Sequence, residues 1–273
     1  MPAQNLPGLV LDRAHPLVRG LVGWWPMNEG AGTRINDLSG FGNHGTLTSG
    51  AKMWGSSLGG GIYLDGTDDY ALIPHSPSLA IVGDITLSCW VNSAFGSFGM
   101  LINKGASGVT NPYQFFVFGG GGNRIVARGN GTVEAAFYAT DSGIPLSKWT
   151  HVVATMSGTT AYHYRNGVPG GSGALSTTVA DSGGALYLGR RGDGYYTQML
   201  MAHARIYNRA LSAVEVAQLY ADPLAGALAP VRARLIVPVV VPPPAAIAAP
   251  PTADRLWNRG YVGRIFRRGE KGS

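Results

Sequence analysis

At 273 residues, the chain is long enough for one large all-β domain with an appendage, or for two small domains. Its 41 glycines and 17 prolines argue against a helical protein, and its single cysteine excludes an intrachain disulfide framework. Residues 1–222 hold 13 basic and 13 acidic side chains, whereas residues 223–273 hold 8 and 2. The net charge of +6 therefore belongs to a C-terminal tail.

The first 19 residues carry three prolines and little periodicity, which predicts an extended N-terminal lead-in. They contain no basic region followed by an apolar core, so we expect no secretory signal. The first strand is expected over residues 21–27. Trp24 and Trp25 point to opposite faces of that strand, so at least one should lie in the core. The other either packs on a second face or serves as a platform for a sugar.

Two polar loops follow. Residues 37–45 contain three turn formers of the Asp, Ser and Asn types and three glycines, and Asp37 and Asn43 can bond local backbone there. Residues 65–69 read D-G-T-D-D, with three carboxylates that suit a metal loop or half of a catalytic pair. Because D-G is a turn signal on its own, we favour a hairpin turn between strands at 61–64 and 70–73.

The middle of the chain alternates short strands with glycine-rich turns. Strands are expected at 85–92, 100–104, 113–118, 124–128 and 133–139. Cys89, in the first of these, is predicted to be a buried apolar residue. Aromatic and histidine side chains either fill the core or stack on sugars, and they leave glycan binding open without locating it. They are Tyr113, Phe115, Phe116, Phe118, His151, Tyr162, His163 and Tyr164.

Residues 149–220 carry the clearest pattern. Three runs alternate apolar and polar residues and are separated by glycine or Asn-Gly, which indicates antiparallel strands joined by tight turns. Ser212 and Glu215 then form a capping box, and Leu211 and Val216 can close over the turn. A short helix is therefore predicted from Ala213 to about residue 222.

Five separated motifs resemble, in order, those of laminin-G-like, concanavalin A-like sandwich domains found in many bacterial and phage proteins. They are L-V-G-W-W-P-M-N-E-G (21–30), D-L-S-G-F-G-N-H-G (37–45), Y-L-D-G-T-D-D-Y (63–70), I-T-L-S-C-W-V (85–91) and R-I-Y-N-R-A-L-S (205–212). The resemblance covers about residues 20–222. It implies an all-β, two-sheet antiparallel jelly-roll sandwich over 20–222, with one short C-terminal helix and extended N- and C-terminal arms.

The resemblance also bears on two possible sites. In relatives, the 37–45 loop supplies calcium ligands that are completed by an acidic pair before the R-I-Y strand. Here Ala202 and His203 replace that pair, so Asp37 and Asn43 are weak candidates and we expect no metal or other cofactor.

The tripeptide at 191–193, R-G-D, is recognised by integrins. Short motifs recur by chance, and the family has a turn at this place.

A catalytic role is not expected. Glycoside hydrolases on this fold need two carboxylates that flank the sugar. No predicted strand carries a Glu-x-Asp or Glu-x-Glu pair, and the chain has no H-E-x-x-H, G-x-S-x-G or P-loop motif.

After residue 222 the composition changes to a proline-rich, basic arm (223–273). Six prolines within 235–251 exclude a membrane-spanning helix there. Fully extended at about 3.1 Å per residue, residues 230–251 would span roughly 70 Å. The tip interleaves five arginines with four apolar anchors, which are Trp257, Tyr261, Ile265 and Phe266. Such a tip could dock on a partner protein, an anionic membrane surface or nucleic acid; we favour a partner protein, expect no membrane insertion and do not favour nucleic acid.

Two functions follow. The basic proline-rich tail and the motif at 15–30 are similar to laminin-G-like proteins encoded among phage structural genes. We therefore expect a non-enzymatic structural or decoration component of a phage virion, assembled in the host cytoplasm. Its arm would bind other virion proteins or copies of itself. The alternative is a carbohydrate-binding module for adhesion to host surface glycans.

Overall fold

The computed structural model describes residues 8–92, 99–105, 112–118, 124–128, 135–137, 145, 147–175, 178–179, 181 and 183–228, with only the backbone of 118, 124–128 and 135–137. The strands are β1 (Val10–Leu11), β2 (Leu21–Trp25), β3 (Arg34–Ile35), β4 (Gly45–Thr48), β5 (Lys52–Met53), β6 (Ile62–Asp65), β7 (Tyr70–Ile73), β8 (Ile85–Asn92), β9 (Gly99–Lys104), β10 (Tyr113–Phe118), β11 (Arg124–Arg128), β12 (Ala135–Phe137), β13 (Thr150–Ser157), β14 (Thr160–Arg165), β15 (Val168–Ala174), β16 (Leu186–Leu188), β17 (Gln198–Tyr207) and β18 (Ala227–Leu228). The α-helix α1 spans Ala213–Ala221, and 3-10 helices span Pro16–Val18 and Pro77–Leu79.

Sixteen strands form two eight-stranded sheets in which every pairing is antiparallel. The first sheet has the order β12-β11-β10-β9-β16-β7-β4-β3. The second has the order β15-β14-β13-β8-β17-β6-β5, and β2 also pairs with β17. This architecture confirms the predicted all-β jelly-roll sandwich with one short C-terminal helix. No helix in the described part of the chain is long and apolar enough to cross a membrane.

The main core lies between the two sheets and follows the period of two in the sequence. Alternate residues of β8 and β13 point into it, including Leu87, Cys89, Val152 and Ala154. From the first sheet, Ile73 and other apolar residues meet them. Full burial of one such side chain stabilises the fold by about 1.5–3 kcal/mol. Burial also raises the pKa of the Cys89 thiol, so this cysteine acts as a small apolar residue, as predicted.

A second apolar cluster lies on the other face of the second sheet, beneath α1. It contains Trp24, Tyr207, Leu211, Val216 and Leu219, with smaller contributions from neighbouring segments. Trp25 belongs instead to the main core, and neither tryptophan is exposed. The expectation that at least one of them is in the core is therefore confirmed, and the alternative of a sugar platform is wrong.

Helix α1 begins as the sequence predicts. The Ser212 Oγ accepts a hydrogen bond from the Glu215 N–H at 3.3 Å, and the Glu215 carboxylate accepts one from the Ser212 N–H at 2.9 Å. Arg209 donates to both oxygens of Glu215, and its hydrogen bond is the main cause that lowers the pKa of Glu215 to about 2. The capping box is therefore reinforced by an ion pair.

Segments near the two chain ends pair with each other. β1 and β18 form a two-stranded antiparallel sheet in which Val10 faces Leu228 and Leu11 faces Ala227. Leu224 and Ala225 pack against the cluster beneath α1. Parts of the predicted lead-in (1–19) and arm (223–273) thus attach to the sandwich. The anchors at Trp257, Tyr261, Ile265 and Phe266 lie outside the described residues, so their role stays a prediction.

The D-G-T-D-D turn at 65–69 differs from the prediction. β6 pairs with β5 and β17 in the second sheet, whereas β7 pairs with β4 and β16 in the first. The turn therefore carries the chain from one sheet to the other, and the predicted hairpin is wrong. The Asp-Gly signal specifies a reversal of the chain but not the sheet that the next strand joins.

Candidate ligand-binding face

Asp37, a weak candidate for a metal ligand, is engaged by protein donors. Its Oδ1 accepts hydrogen bonds from the Trp24 N–H at 2.9 Å and the Ser39 N–H at 2.8 Å. Its Oδ2 accepts from the Ser39 Oγ at 2.7 Å and the Asn43 N–H at 2.9 Å. These four bonds match the acceptor capacity of a carboxylate. Asp37 therefore stabilises the loop and its contact with β2.

Asn43 is engaged in the same way. Its Oδ1 accepts a hydrogen bond from the Ser76 Oγ at 2.6 Å. Its Nδ2 donates to the Val22 carbonyl and to the Ser78 Oγ, both at 2.8 Å. The side chain thus joins the loop to β2 and to the 3-10 helix at Pro77–Leu79.

His203 stands where relatives were expected to carry an acidic residue. It is 3 % exposed, and its Nε2 lies 2.9 Å from the Leu58 carbonyl. Burial is the main cause that lowers its pKa to about 4, so the ring is neutral near pH 7. A neutral imidazole bonded to a carbonyl supplies none of the hard oxygen ligands that calcium prefers.

The acidic turn brings Asp65, Asp68 and Asp69 together, with one oxygen of each within 4.8 Å of the others. Asp65 accepts a hydrogen bond from the Thr67 N–H at 2.7 Å, and Asp69 accepts one from the Asp65 N–H at 3.0 Å. Burial is the main cause that raises the pKa of Asp69. These hydrogen bonds stabilise the turn at 65–69, which carries the chain from one sheet to the other.

The R-G-D tripeptide forms a closed turn. Arg191 Nε and Nη2 donate to the two carboxylate oxygens of Asp193 at 2.6 and 2.8 Å. The Arg191 guanidinium also lies 4.0 Å from the centre of the Tyr195 ring. The two charges of the tripeptide are therefore paired with each other.

Most of the aromatic residues singled out in the sequence are structural. Tyr113 and Phe115 are fully buried in the main core, and the Tyr113 hydroxyl donates to the Leu79 carbonyl at 3.1 Å. His151 is 1 % exposed and stacks on the Trp90 ring. The others divide similarly: Phe116, His163 and Tyr164 are buried, Tyr162 is 44 % exposed, and the Phe118 side chain lies outside the described part.

A different aromatic group lies on the outer face of the first sheet. Ala71 and Ile73 of β7 point into the core, as do Leu186 and Leu188 of β16. The alternating residues Tyr70 and Tyr187 therefore point outward. Because β7 and β16 are neighbours, the two rings meet, with centroids 6.0 Å apart.

The loop between β16 and β17 completes this surface. Arg190 and Tyr196 form an isolated bridge across that loop, and the Tyr196 ring lies 6.1 Å from the Tyr70 ring. The Arg190 guanidinium carbon lies 4.6 Å from the centroid of Tyr70, 5.3 Å from Tyr187 and 5.4 Å from Tyr196. We call Tyr70, Tyr187, Arg190 and Tyr196 the tyrosine–arginine face. All four are half-buried.

Two buried amides continue the same side of the first sheet. Tyr187 faces Asn103 across β16 and β9, and Asn103 faces Gln114 across β9 and β10. The Gln114 Nε2 donates to the Asn103 Oδ1 at 2.7 Å, and the Asn103 Nδ2 donates to the Gly105 carbonyl at 2.9 Å. This network fixes the strands beside the tyrosines.

Another exposed aromatic pair lies on the second sheet. The Trp54 and Tyr63 rings are 5.7 Å apart, and Trp54 is 50 % exposed. The Tyr63 hydroxyl accepts a hydrogen bond from the Gln198 Nε2 at 3.3 Å. Within the described residues, no arginine stacks on either ring, which distinguishes this pair from the tyrosine–arginine face.

The tyrosine–arginine face is not predicted from the sequence. The run Y-L-G-R-R-G-D-G-Y-Y contains three of its residues. Its density of aromatic and basic side chains was the available signal. Tyr70 is more than one hundred positions away, and only the pairing of β7 with β16 brings it to the others.

The profile of a laminin G family, described as the concanavalin A-like lectin/glucanases superfamily, matches residues 65–217, more than half of the chain. The chain belongs to this superfamily. The match includes every residue of the tyrosine–arginine face. Among curated proteins, none matches the chain.

Solved structures share the concanavalin A-like fold at low sequence identity. Domain 4 of AbnA, an extracellular arabinanase from Geobacillus stearothermophilus in complex with arabinotriose, is 17 % identical, with a TM-score of 0.61; the match covers 73 % of this chain and 98 % of that one. The binding domain of Paraclostridial Mosquitocidal Protein 1 is 19 % identical, with a TM-score of 0.59. The match covers 75 % of this chain and 52 % of that one. The receptor binding domain of botulinum neurotoxin C/D mosaic serotype is 16 % identical, with a TM-score of 0.56. The match covers 74 % of this chain and 51 % of that one. The chain thus spans about half of each toxin domain, and these likenesses establish the fold alone.

Proposed function

We propose that this domain is a glycan-binding module whose ligand lies on the tyrosine–arginine face. The proposal rests on the three half-buried tyrosine rings grouped on the outer face of a concanavalin A-like sandwich. Sugars present C–H groups on one face of the ring, and these pack against aromatic rings. The phenolic hydroxyls can exchange hydrogen bonds with sugar hydroxyls. The arabinotriose complex of the arabinanase domain and the binding role of the mosquitocidal-protein domain are consistent with this proposal.

We further propose that the module does not hydrolyse its ligand. Both stereochemical classes of glycosidase place two carboxyl groups on either side of the scissile bond. The three clustered carboxylates of the described residues lie on a single turn, and Asp65 and Asp69 are held there by backbone N–H groups. Incubation with a panel of polysaccharides should release no reducing ends. Turnover that Asp68→Asn abolishes would contradict the proposal.

A glycan array provides the first test of binding. The full chain should bind a defined subset of glycans, and Tyr187→Ala should lose that binding. Tyr162→Ala is the matched control, because Tyr162 is an exposed tyrosine on β14 of the second sheet. Retention of the same signals by Tyr187→Ala would place the binding surface elsewhere.

The charge distribution favours a second role, in which the module is displayed by a large assembly. Residues 1–222 have balanced charge, whereas residues 223–273 carry all of the excess positive charge and eight prolines. We propose that this arm anchors the domain to a phage virion, through contacts with other virion proteins or with copies of itself. Aromatic and arginine side chains dominate the energetics of interfaces, and the sequence of the tip contains Trp257 and Phe266.

Incorporation into particles tests this anchoring role. We expect the double change Trp257→Ala and Phe266→Ala to lower the copy number per virion more than Arg267→Gln with Arg268→Gln. Quantitative mass spectrometry of purified particles measures that number. Normal incorporation of a chain that ends at residue 228 would exclude the arm as the anchor.

A further inference from the structure

We infer that the ligand of the tyrosine–arginine face is an acidic sugar, whose carboxylate is received by the Arg190 guanidinium. This inference rests on the proposed glycan-binding function and adds the chemical class of the ligand. Its basis is the state of Arg190, which differs from that of the neighbouring arginines.

Among the described residues, Arg190 contacts aromatic rings and no hydrogen-bond acceptor. Its guanidinium carbon lies 4.6–5.4 Å from the centroids of three tyrosine rings. Its Nε is buried without a hydrogen-bond partner, and within the described part of the chain no acceptor binds either Nη. The residue is half-buried, so part of it is open to solvent. The side chain thus presents an ordered cation with open donors.

Three other arginines of the domain, in contrast, donate hydrogen bonds to oxygen acceptors. Arg191 is paired with Asp193, and Arg209 is paired with Glu215. Arg205 donates to two backbone carbonyls. Asp193 interacts mainly with Arg191, because the hydrogen bond from Arg191 is the main cause that lowers the pKa of Asp193 and the charge of Arg190 contributes least.

A carboxylate is the group that best matches these donors. The guanidinium is planar and binds two carboxylate oxygens through parallel hydrogen bonds, which are roughly twice as strong as bonds between neutral groups. The surrounding rings already restrict the side chain, so binding costs less conformational entropy than at a free surface arginine. The same rings can stack against the body of the sugar, so one ligand can use both features.

Paired glycans separate this inference from the function on which it rests. An array should carry glycans that contain uronic or nonulosonic acids, each beside its methyl ester, together with neutral glycans. We expect at least one acid to bind about tenfold or more tightly than its ester, as for a hydrogen bond to a charged group. Arg190→Gln should remove that difference. Arg190→Lys should retain only part of it, because an ammonium lacks the planar fork.

Arg191→Gln is the matched control, since its guanidinium is already paired with Asp193, and it should keep the preference for the acid. Thermal melting of each variant checks that the fold is intact. Equal binding of acid and ester, or binding of neutral glycans alone, would overturn the inference and leave the glycan-binding function standing. A preference for the acid that survives in folded Arg190→Gln would also overturn it. Absence of binding to every glycan would overturn both.

Discussion

Arg205 lies with its guanidinium carbon 3.8 Å from the centroid of the Trp24 indole. The same guanidinium donates to the backbone carbonyls of Pro223 and Ala225 at 2.7 and 3.2 Å. Arg205 is 2 % exposed, and the main cause that lowers its pKa is burial. This one side chain therefore joins β17 to β2 and to the segment that leads into β18.

We predict that Arg205→Met lowers the free energy of unfolding by about 3 kcal/mol, because two part-buried carbonyls lose a charged donor. Removal of the desolvated charge offsets part of that loss. Urea unfolding measures the change, and hydrogen exchange of the Ala227 amide should rise. Arg34→Met, at an exposed position, is the control. Unchanged stability and unchanged exchange would show that Arg205 does not hold the terminal segment.

Truncated chains should show that the folded sandwich domain extends to residue 228. A chain that ends at Leu228 keeps β18, and we predict that its melting temperature matches that of the full chain. A chain that ends at Asp222 loses the pairing with β1 and both acceptors of Arg205. Its free energy of unfolding should fall by about 2–4 kcal/mol. Equal stability of the two truncated chains would contradict this account.

Three buried histidines should make the fold sensitive to acid. Burial is the main cause that lowers the pKa of His151 and His163 to about 3 and of His203 to about 4. The unfolded chain takes up protons near pH 6.5, whereas the folded chain does not until about pH 3–4. Stability is therefore complete above about pH 6.5 and falls as the pH decreases from there to about pH 3–4. Within this pH window, the free energy of unfolding should fall by about 1 kcal/mol per pH unit for each histidine.

Urea unfolding at pH 7 and at pH 5 measures this dependence. His151→Phe should keep the stack on Trp90 and reduce the loss at pH 5. Equal stability of the unaltered chain at the two pH values would contradict the prediction.

The 37–45 loop should depend on its carboxylate and not on calcium. Asp37→Ala removes the acceptor of four hydrogen bonds, and we expect it to lower the free energy of unfolding by about 3 kcal/mol or more. Millimolar calcium should leave the melting temperature of the unaltered chain unchanged, because protein donors already occupy these oxygens. A rise of several degrees would show that other oxygens complete a metal site.

Features set by local periodicity could be predicted from the sequence. The alternation in β8 and β13 and the capping box at Ser212 all appear as expected. The Asn166-Gly167 turn also forms, with φ of 49° and 77° at its two residues. In each case, residues within a few positions determine the conformation.

Features that depend on pairing between distant segments could not be predicted. β1 and β18 have two residues each, too few for a period to be detected. The tyrosine–arginine face requires β7 and β16 to be neighbours, and no local pattern specifies that pairing. The turn at 65–69 shows the same limit, because turn chemistry does not select the sheet of the following strand.

Binding of a glycan by the tyrosine–arginine face can be measured by isothermal titration of the strongest array ligand into the full chain, with Tyr70→Ala, Tyr187→Ala and Tyr196→Ala as variants. Trp54→Ala and Tyr162→Ala are controls, because both residues are exposed aromatics outside the face. Each variant should first be shown to melt as a folded domain.

We predict that Tyr187→Ala weakens binding by about tenfold or more, as for truncation of a central aromatic contact, and that Tyr70→Ala and Tyr196→Ala act in the same direction. Trp54→Ala and Tyr162→Ala should leave the dissociation constant unchanged. Full affinity in all three face variants, or loss of affinity only in Trp54→Ala, would contradict the account.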